Sequence, residues 1–218
     1  MTGAATGSRN ACLQCVVRAF AAAVLWLAMG MQASATTKGL NQIVTPDIQP
    51  AGLLSLSLQW QERAIGNPLQ IQYEIGLVRG LEAAAFQGLQ PGETSLAVEG
   101  ALLQKGSWTL SAGSLGIGIG KGSAQPFVEG GYALKWGTCI CGVLQNRGSV
   151  QVLAGVLWQV SPRLAGQLDH QGGAGNFTTI GFTWYATPAF SVNPAVYLSN
   201  DGTHSAHAYV VATWNIRL

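Results

Sequence analysis

The chain has 218 residues, of which 48% are hydrophobic and only 9% charged, where a soluble domain carries about 25% charged residues. Its 11 Lys and Arg stand against 9 Asp and Glu, and two of the basic residues, Arg9 and Arg18, fall in the first 35 positions, so the remainder is close to neutral. That balance excludes a basic surface for nucleic acid or an anionic membrane face. Beyond residue 35 no run reaches the roughly 18 apolar residues that a membrane helix needs.

Residues 1–35 read as a secretory signal peptide, with Arg9 and Arg18 in a basic leader, an apolar core from Ala19 to Met31, and Ala33-Ser34-Ala35 as an A-x-A cleavage site. The apolar run is about 13 residues long, short of the roughly 20 that span a bilayer, so removal near Thr36 is expected rather than retention as an anchor. Cys12 and Cys15 leave with the leader. Neither follows the apolar core as a lipid-bearing cysteine would. Residues 36–50 contain Thr45-Pro46-Asp47 and Gln49-Pro50, too proline-rich and too short for a helix threading a pore, and they are expected to form a periplasmic N-terminal segment, a tether to the domain at 51–218.

From Leu54 onward the pattern has a period of two, which places alternate side chains on opposite faces of a strand. Leu54, Leu56, Leu58 and Trp60 alternate with Ser55, Ser57, Gln59 and Gln61; Leu69, Ile71, Tyr73, Ile75 and Leu77 alternate with Gln70, Gln72, Glu74 and Gly76. Val150, Val152, Ala154, Val156 and Trp158 repeat the pattern later in the chain. Turn residues divide the domain into strands at 53–61, 69–79, 81–88, 94–104, 107–119, 126–136, 138–144, 150–160, 163–170, 177–186, 189–199 and 206–218. Short connections at Arg79-Gly80, Lys105-Gly106-Ser107, Gly137, Ser161-Pro162-Arg163 and Ala186-Thr187-Pro188 alternate with longer polar ones at 62–68, 89–93, 120–125, 145–149, 171–176 and 200–205. An even count puts both termini on the short-turn side. If 138–144 were loop, the count would fall to ten. Within 107–119 the apolar parity switches from Trp108, Leu110 and Ala112 to Leu115, Ile117 and Ile119, which predicts a bulge or bend near Gly113.

The last strand, Ala206 to Leu218, is apolar on one face to its end, with Ala208, Val210, Ala212, Trp214, Ile216 and Leu218 at every second position. It resembles the closing strand of bacterial outer-membrane β-barrels, and the resemblance, porin-like and at the level of architecture, extends over the chain from 51 to 218. It implies an all-β fold, a closed antiparallel transmembrane β-barrel of about twelve strands, apolar outward and polar inward. It also implies residence in the outer membrane of a Gram-negative cell, contact with outer-membrane lipids, and recognition of the C-terminal strand by the barrel-assembly machinery. Trp108, Trp136, Trp158, Trp184 and Trp214 fall at strand ends on the short-turn side and Trp60 near the other rim, the places of an aromatic girdle. A soluble β-sandwich would have to solvate one face of each strand, and Lys and Glu are scarce on all of them.

With the polar face inward, Glu74, Glu99, Glu129, Lys135, Asp169, His207 and Arg217 line the lumen. An enclosed carboxylate needs water or a partner, so these acids are expected either to pair with Lys135 and Arg217 or to border a hydrated channel. The first arrangement closes the barrel with salt bridges; the second is a constriction favouring small polar or weakly cationic solutes. Gly116-Ile-Gly-Ile-Gly-Lys-Gly122 is not a phosphate-binding loop, because Gly122 rather than Ser or Thr follows Lys121 and a strand rather than a helix comes next. Cys139 and Cys141 lie in an oxidising compartment, two apart at about 6.6 Å, near the upper limit for a bridge; a strained disulfide and two small buried thiols are both open. His170, His204, His207, Ser199 and Ser205 form no nucleophile motif, and no spacing suggests a metal.

The expected function is a channel or narrow porin for passive passage of small polar solutes, with no cofactor and no catalysis. The alternatives are a structural or adhesive barrel with a closed lumen, a lipid-modifying barrel enzyme, and a soluble periplasmic binding barrel.

Overall fold

The computed structural model describes residues 39–119, 124–203 and 205–218. The leader and its cleavage site, Lys121 of the glycine-rich run, and His204 lie outside them. Twelve strands form: β1 (Leu53–Gln61), β2 (Leu69–Val78), β3 (Leu81–Leu89), β4 (Gly92–Lys105), β5 (Trp108–Ile119), β6 (Gln125–Leu134), β7 (Gly137–Asn146), β8 (Ser149–Ser161), β9 (Leu164–Gln171), β10 (Phe177–Thr187), β11 (Phe190–Ser199) and β12 (Ala206–Arg217). Each pairs antiparallel with its neighbour in sequence, and β12 returns to β1 from Leu53 opposite Arg217 to Gln61 opposite Tyr209. The sheet closes into a barrel and has no edge. The segment expected at 138–144 is a full strand of 10 residues, so the count is twelve, not ten.

The alternation read from the sequence decides which face each residue takes. In β1, Ser55, Ser57, Gln59 and Gln61 are buried toward the lumen while Leu58 and Trp60 stand exposed on the outside. Val128, Val150, Val152, Ile180, Phe182 and Val196 extend that exposed apolar surface around the barrel. In water such a belt would be a large uncompensated patch; hydrocarbon is the surround that stabilises it.

Two-residue turns at 79–80, 106–107, 135–136, 162–163 and 188–189 close one end, where β1 begins and β12 finishes. The other end carries the connections 62–68, 120–124, 172–176 and 200–205. Two connections there, 90–91 and 147–148, are shorter than the sequence suggests. At the second, Arg147 and Gly148 have φ of +47° and +86°, the left-handed pair of a type I′ turn, which lets the ladder run out to Asn146 opposite Ser149.

The parity switch in β5 is real but lies further along than expected. Leu110, Ala112 and Ser114 face outward as far as the regular pairing with β6 extends. Leu115 then turns inward against Phe127, and Ile117 faces out again opposite Leu96. The register slips against β4 between Leu96 and Val98. Gly116, with φ of +64°, is the residue that turns the chain, because a side chain there would be strained in the left-handed region.

The lumen is not empty. Residues 39–50, expected below the barrel as a tether, run up through its interior, with Leu40, Asn41, Ile43, Thr45, Pro46 and Gln49 buried. The alternation of polar and apolar residues concealed the reason. Phe127, Ile140, Leu144 and Leu153 are apolar yet face inward, and they form one cluster with Leu40 and Ile43, flanked by Val44, Leu115 and Leu157. An apolar wall inside a barrel needs cover, and the N-terminal segment provides it.

Candidate functional site

The lumen has three sectors, each set by the residues that its strands turn inward. β6 to β8 supply the apolar wall just described. Burying the side chains of Leu40 and Ile43 against it contributes about 1.5–3 kcal/mol each.

The second sector, from β9 round to β1, is a network of hydroxyls and amides. Asp169 Oδ2 accepts from the Asn41 amide at 2.8 Å, from Asn41 Nδ2 at 3.2 Å and from the Gln42 amide at 3.4 Å. Asn41 Nδ2 also donates to Thr179 Oγ1 at 2.8 Å, Asn193 Nδ2 donates to Asn41 Oδ1 at 3.3 Å, and the Tyr197 hydroxyl donates to the Asn41 carbonyl. The carboxylate is 1% exposed, and a buried charge is tolerated only when donors surround it. Asp169 and Asn41 thus form an attachment of several hydrogen bonds between segment and wall. Near the short-turn end, Gln49 Nε2 donates to Ser55 Oγ at 2.7 Å and Ser55 Oγ to Asn215 Oδ1 at 2.6 Å, linking the segment to the seam where β1 meets β12.

The third sector, on β2 to β6, is acidic. Glu82 and Glu99 stand directly opposite each other on β3 and β4, both facing inward and both buried. Glu74 faces inward from β2, and Glu129, 0% exposed, from β6. Glu82 Oε2 accepts from the Gln49 amide at 2.6 Å. Between this wall and residues 39–44 lies a cavity of about 290 Å³, bordered by Glu74, Glu82, Glu99, Gln59, Gln61 and Gln72. Leu40, Ile43, Phe86, Leu115 and Phe127 border it as well, so its lining is mixed.

Of the residues expected to line the pore, Glu74, Glu99, Glu129 and Asp169 face the lumen. Lys135 does not: it is exposed in the two-residue turn between β6 and β7, past the end of the ladder. Arg217 is exposed at the last position of β12, at the mouth. His207 sits at the opposite rim, with Nδ1 3.0 Å from Oε2 of Glu62 in the loop after β1. At Asp169 and Glu82 the bonds run to the N-terminal segment, while Lys135 is exposed in a turn and Arg217 at the end of β12. Cys139 and Cys141 are free, and exposed on the outer face of β7 rather than buried, two small side chains on the outward parity of a regular strand rather than bridged across a distorted turn. Trp60, Trp108, Trp184 and Trp214 are exposed on the outer face and Trp136 in the turn between β6 and β7, and the Trp158 ring covers Gly166. Trp108 stacks near Tyr132 at 4.6 Å and Trp214 near Phe190 at 4.7 Å, beside the short turns.

Sequence reasoning missed Glu82 and the whole of 39–50. Leu81, Ala83 and Ala85 alternate with Glu82, Ala84 and Phe86, and alanine is too small and too neutral to mark a face. The pairing of Glu82 opposite Gly76 on β2 assigns it. Among the described residues, no group of three His, Cys, Asp or Glu is placed to hold a metal ion. His170 pairs with Thr178 at 2.8 Å on the outer face.

No family model and no curated protein matches the chain. Solved structures do match. The KdgM porin in complex with disordered oligogalacturonate superposes with a TM-score of 0.56 at 8% identity, covering 74% of this chain and 98% of that one. The NanC porin superposes with a TM-score of 0.52 at 11% identity, covering 76% and 100%. The chain has the fold of these porins. The likeness takes in nearly the whole of both neighbours, and at such identities it is a likeness of architecture. The functional residues must therefore be argued from this lumen and not carried over from theirs.

Proposed function

We propose that this protein is a passive conduit for small polar solutes in the outer membrane of a Gram-negative cell, reached through the signal peptide at 1–35 and assembled by way of its C-terminal strand. The observation that carries the reading is the cavity bordered on one side by Glu74, Glu82 and Glu99, a space inside a barrel whose outer surface is apolar. A twelve-strand barrel encloses more than its own wall side chains fill, unlike a barrel of about eight strands.

Charge sets what such a passage takes. The carboxylates of the acidic sector face inward, whereas the described Lys and Arg residues sit in turns, in loops or at strand ends. Inward carboxylates weight the field along the passage toward cations, and low-dielectric walls focus it. The KdgM porin is recorded with oligogalacturonate, whose uronate units are anionic; this lumen repels such a ligand and favours neutral or cationic solutes. Purified protein in planar bilayers is expected to give discrete conductance steps with K⁺ preferred over Cl⁻. Glu99→Gln, and more strongly Glu82→Gln with Glu99→Gln, lowers that preference without abolishing the steps. Absence of steps from a folded barrel, or an unchanged ion preference in the double variant, contradicts the reading.

One observation favours a second reading, a structural barrel with a closed lumen: residues 39–50 fill much of the interior. The two readings differ in whether that segment stays.

A further inference from the structure

Residues 39–50 are held as a ligand is held, not as a strand. Three of their backbone amides donate to side-chain carboxylates of the wall, Asn41 and Gln42 to Asp169 and Gln49 to Glu82. Within the segment the Leu40 amide donates to the Ile43 carbonyl at 2.9 Å. Pairing with the wall begins only at Ala51, in an isolated bridge to Gly76, and Gly52, with φ of +75°, turns the chain into β1. Release of the segment therefore leaves every ladder of the barrel intact.

The wall is shaped for what it holds. At Gly155 a Cβ would collide with Leu40 Cδ1, and at Gly76 with the Pro50 carbonyl. At Gly181 it would stand 2.5 Å from Asn41 Oδ1, and at Gly131 2.8 Å from Pro46 Cγ. Four inward positions on four strands thus lack a side chain where the segment lies, beside an apolar surface that matches Leu40 and Ile43 and a carboxylate that matches two consecutive amides.

We propose that the lumen is a peptide-binding site for an extended segment of aliphatic, amide and proline side chains, that the chain's own residues 39–50 occupy it reversibly, and that its vacancy is the conducting state. The inference rests on the conduit reading above and adds what opens it. Occupied, the lumen keeps the cavity beside the acidic wall; vacated, it gains the space that residues 39–50 fill.

The test uses the full-length protein in planar bilayers, with heat-modifiable gel migration to establish that each barrel is folded. Leu40→Asp with Ile43→Asp unseats the segment and leaves the wall untouched; conductance is expected to rise several-fold. A synthetic peptide of the sequence 39–50, added to that variant, returns conductance to the wild-type level. Gly155→Val fills the socket, so it also conducts several-fold more than the wild type but does not respond to the peptide. Equal conductance in the wild type and both variants overturns the inference and leaves the conduit standing. Larger conductance that the peptide fails to reduce in the first variant overturns the binding site. Silence of all three folded barrels overturns the conduit reading and this inference with it.

Discussion

Glu62 ties the loop after β1 to the start of β12. Its Oε1 accepts from the Ala208 amide at 3.0 Å, and its Oε2 lies 3.0 Å from Nδ1 of His207. The Ala208 amide first, and the His207 ring second, hold this carboxyl below the ordinary carboxylate range, against a smaller opposing effect of burial. A lowered value means that the folded loop favours the charged form. That contribution is fully present above the ordinary range and is lost as pH falls through the lowered value. The Ala208 amide proton is expected to titrate with the carboxylate, at a midpoint below the ordinary range, and to become insensitive to acid in Glu62→Gln. A midpoint at or above that range in an NMR titration would contradict the assignment.

At the scale of the element, β5 shows how one residue corrects a strand. Gly116 turns the chain with φ of +64°, so that Leu115 joins the inner apolar cluster while Ile117 faces outward. Gly116→Ala forces a side chain into the left-handed region at about 1–2 kcal/mol and is expected to lower the urea midpoint of refolding into lipid vesicles. Gly92→Ala is the control, since a Cβ there meets nothing within 4 Å and the effect should stay within about 0.5 kcal/mol. The existence of such strands is legible from a period of two alone, and all twelve lie where that period and the turn residues place them. The parity switch in β5 is also legible, but its location is not. The sequence offers both Gly113 and Gly116, and only the register with β4 and β6 selects the second. Glu82 escaped for a similar reason: its flanking alanines do not distinguish one face from the other.

At the scale of the whole molecule, closure is the organising fact. β12 and β1 pair over nine residues, with Ser57 and Thr213 bonded at 2.8 Å inside the seam and Leu58 opposite Ala212 outside it. The outer face must stay apolar, because a lysine there at the bilayer midplane costs roughly 2–4 kcal/mol. Leu58→Lys is therefore expected to reduce the fraction of protein that runs as the compact, heat-modifiable band after refolding in lipid, and a fraction equal to that of the wild type would refute the lipid-facing assignment. What the sequence by itself determined is the barrel: a closed sheet of about twelve strands, its inside and outside, and the end at which β1 begins and β12 finishes, because alternation is a local property carried by adjacent residues. What only the tertiary structure decided is the content of the lumen. Leu40 meets Leu153, and Asn41 meets Asp169, across more than a hundred residues of chain. Phe127, Ile140, Leu144 and Leu153 break the polar-inward rule only because a segment from another part of the sequence covers them. The charges expected to close the pore, Lys135 and Arg217, share the parity of the inner face but fall past or at the ends of the ladders. Parity is local, whereas depth along the barrel depends on the register of every strand around it.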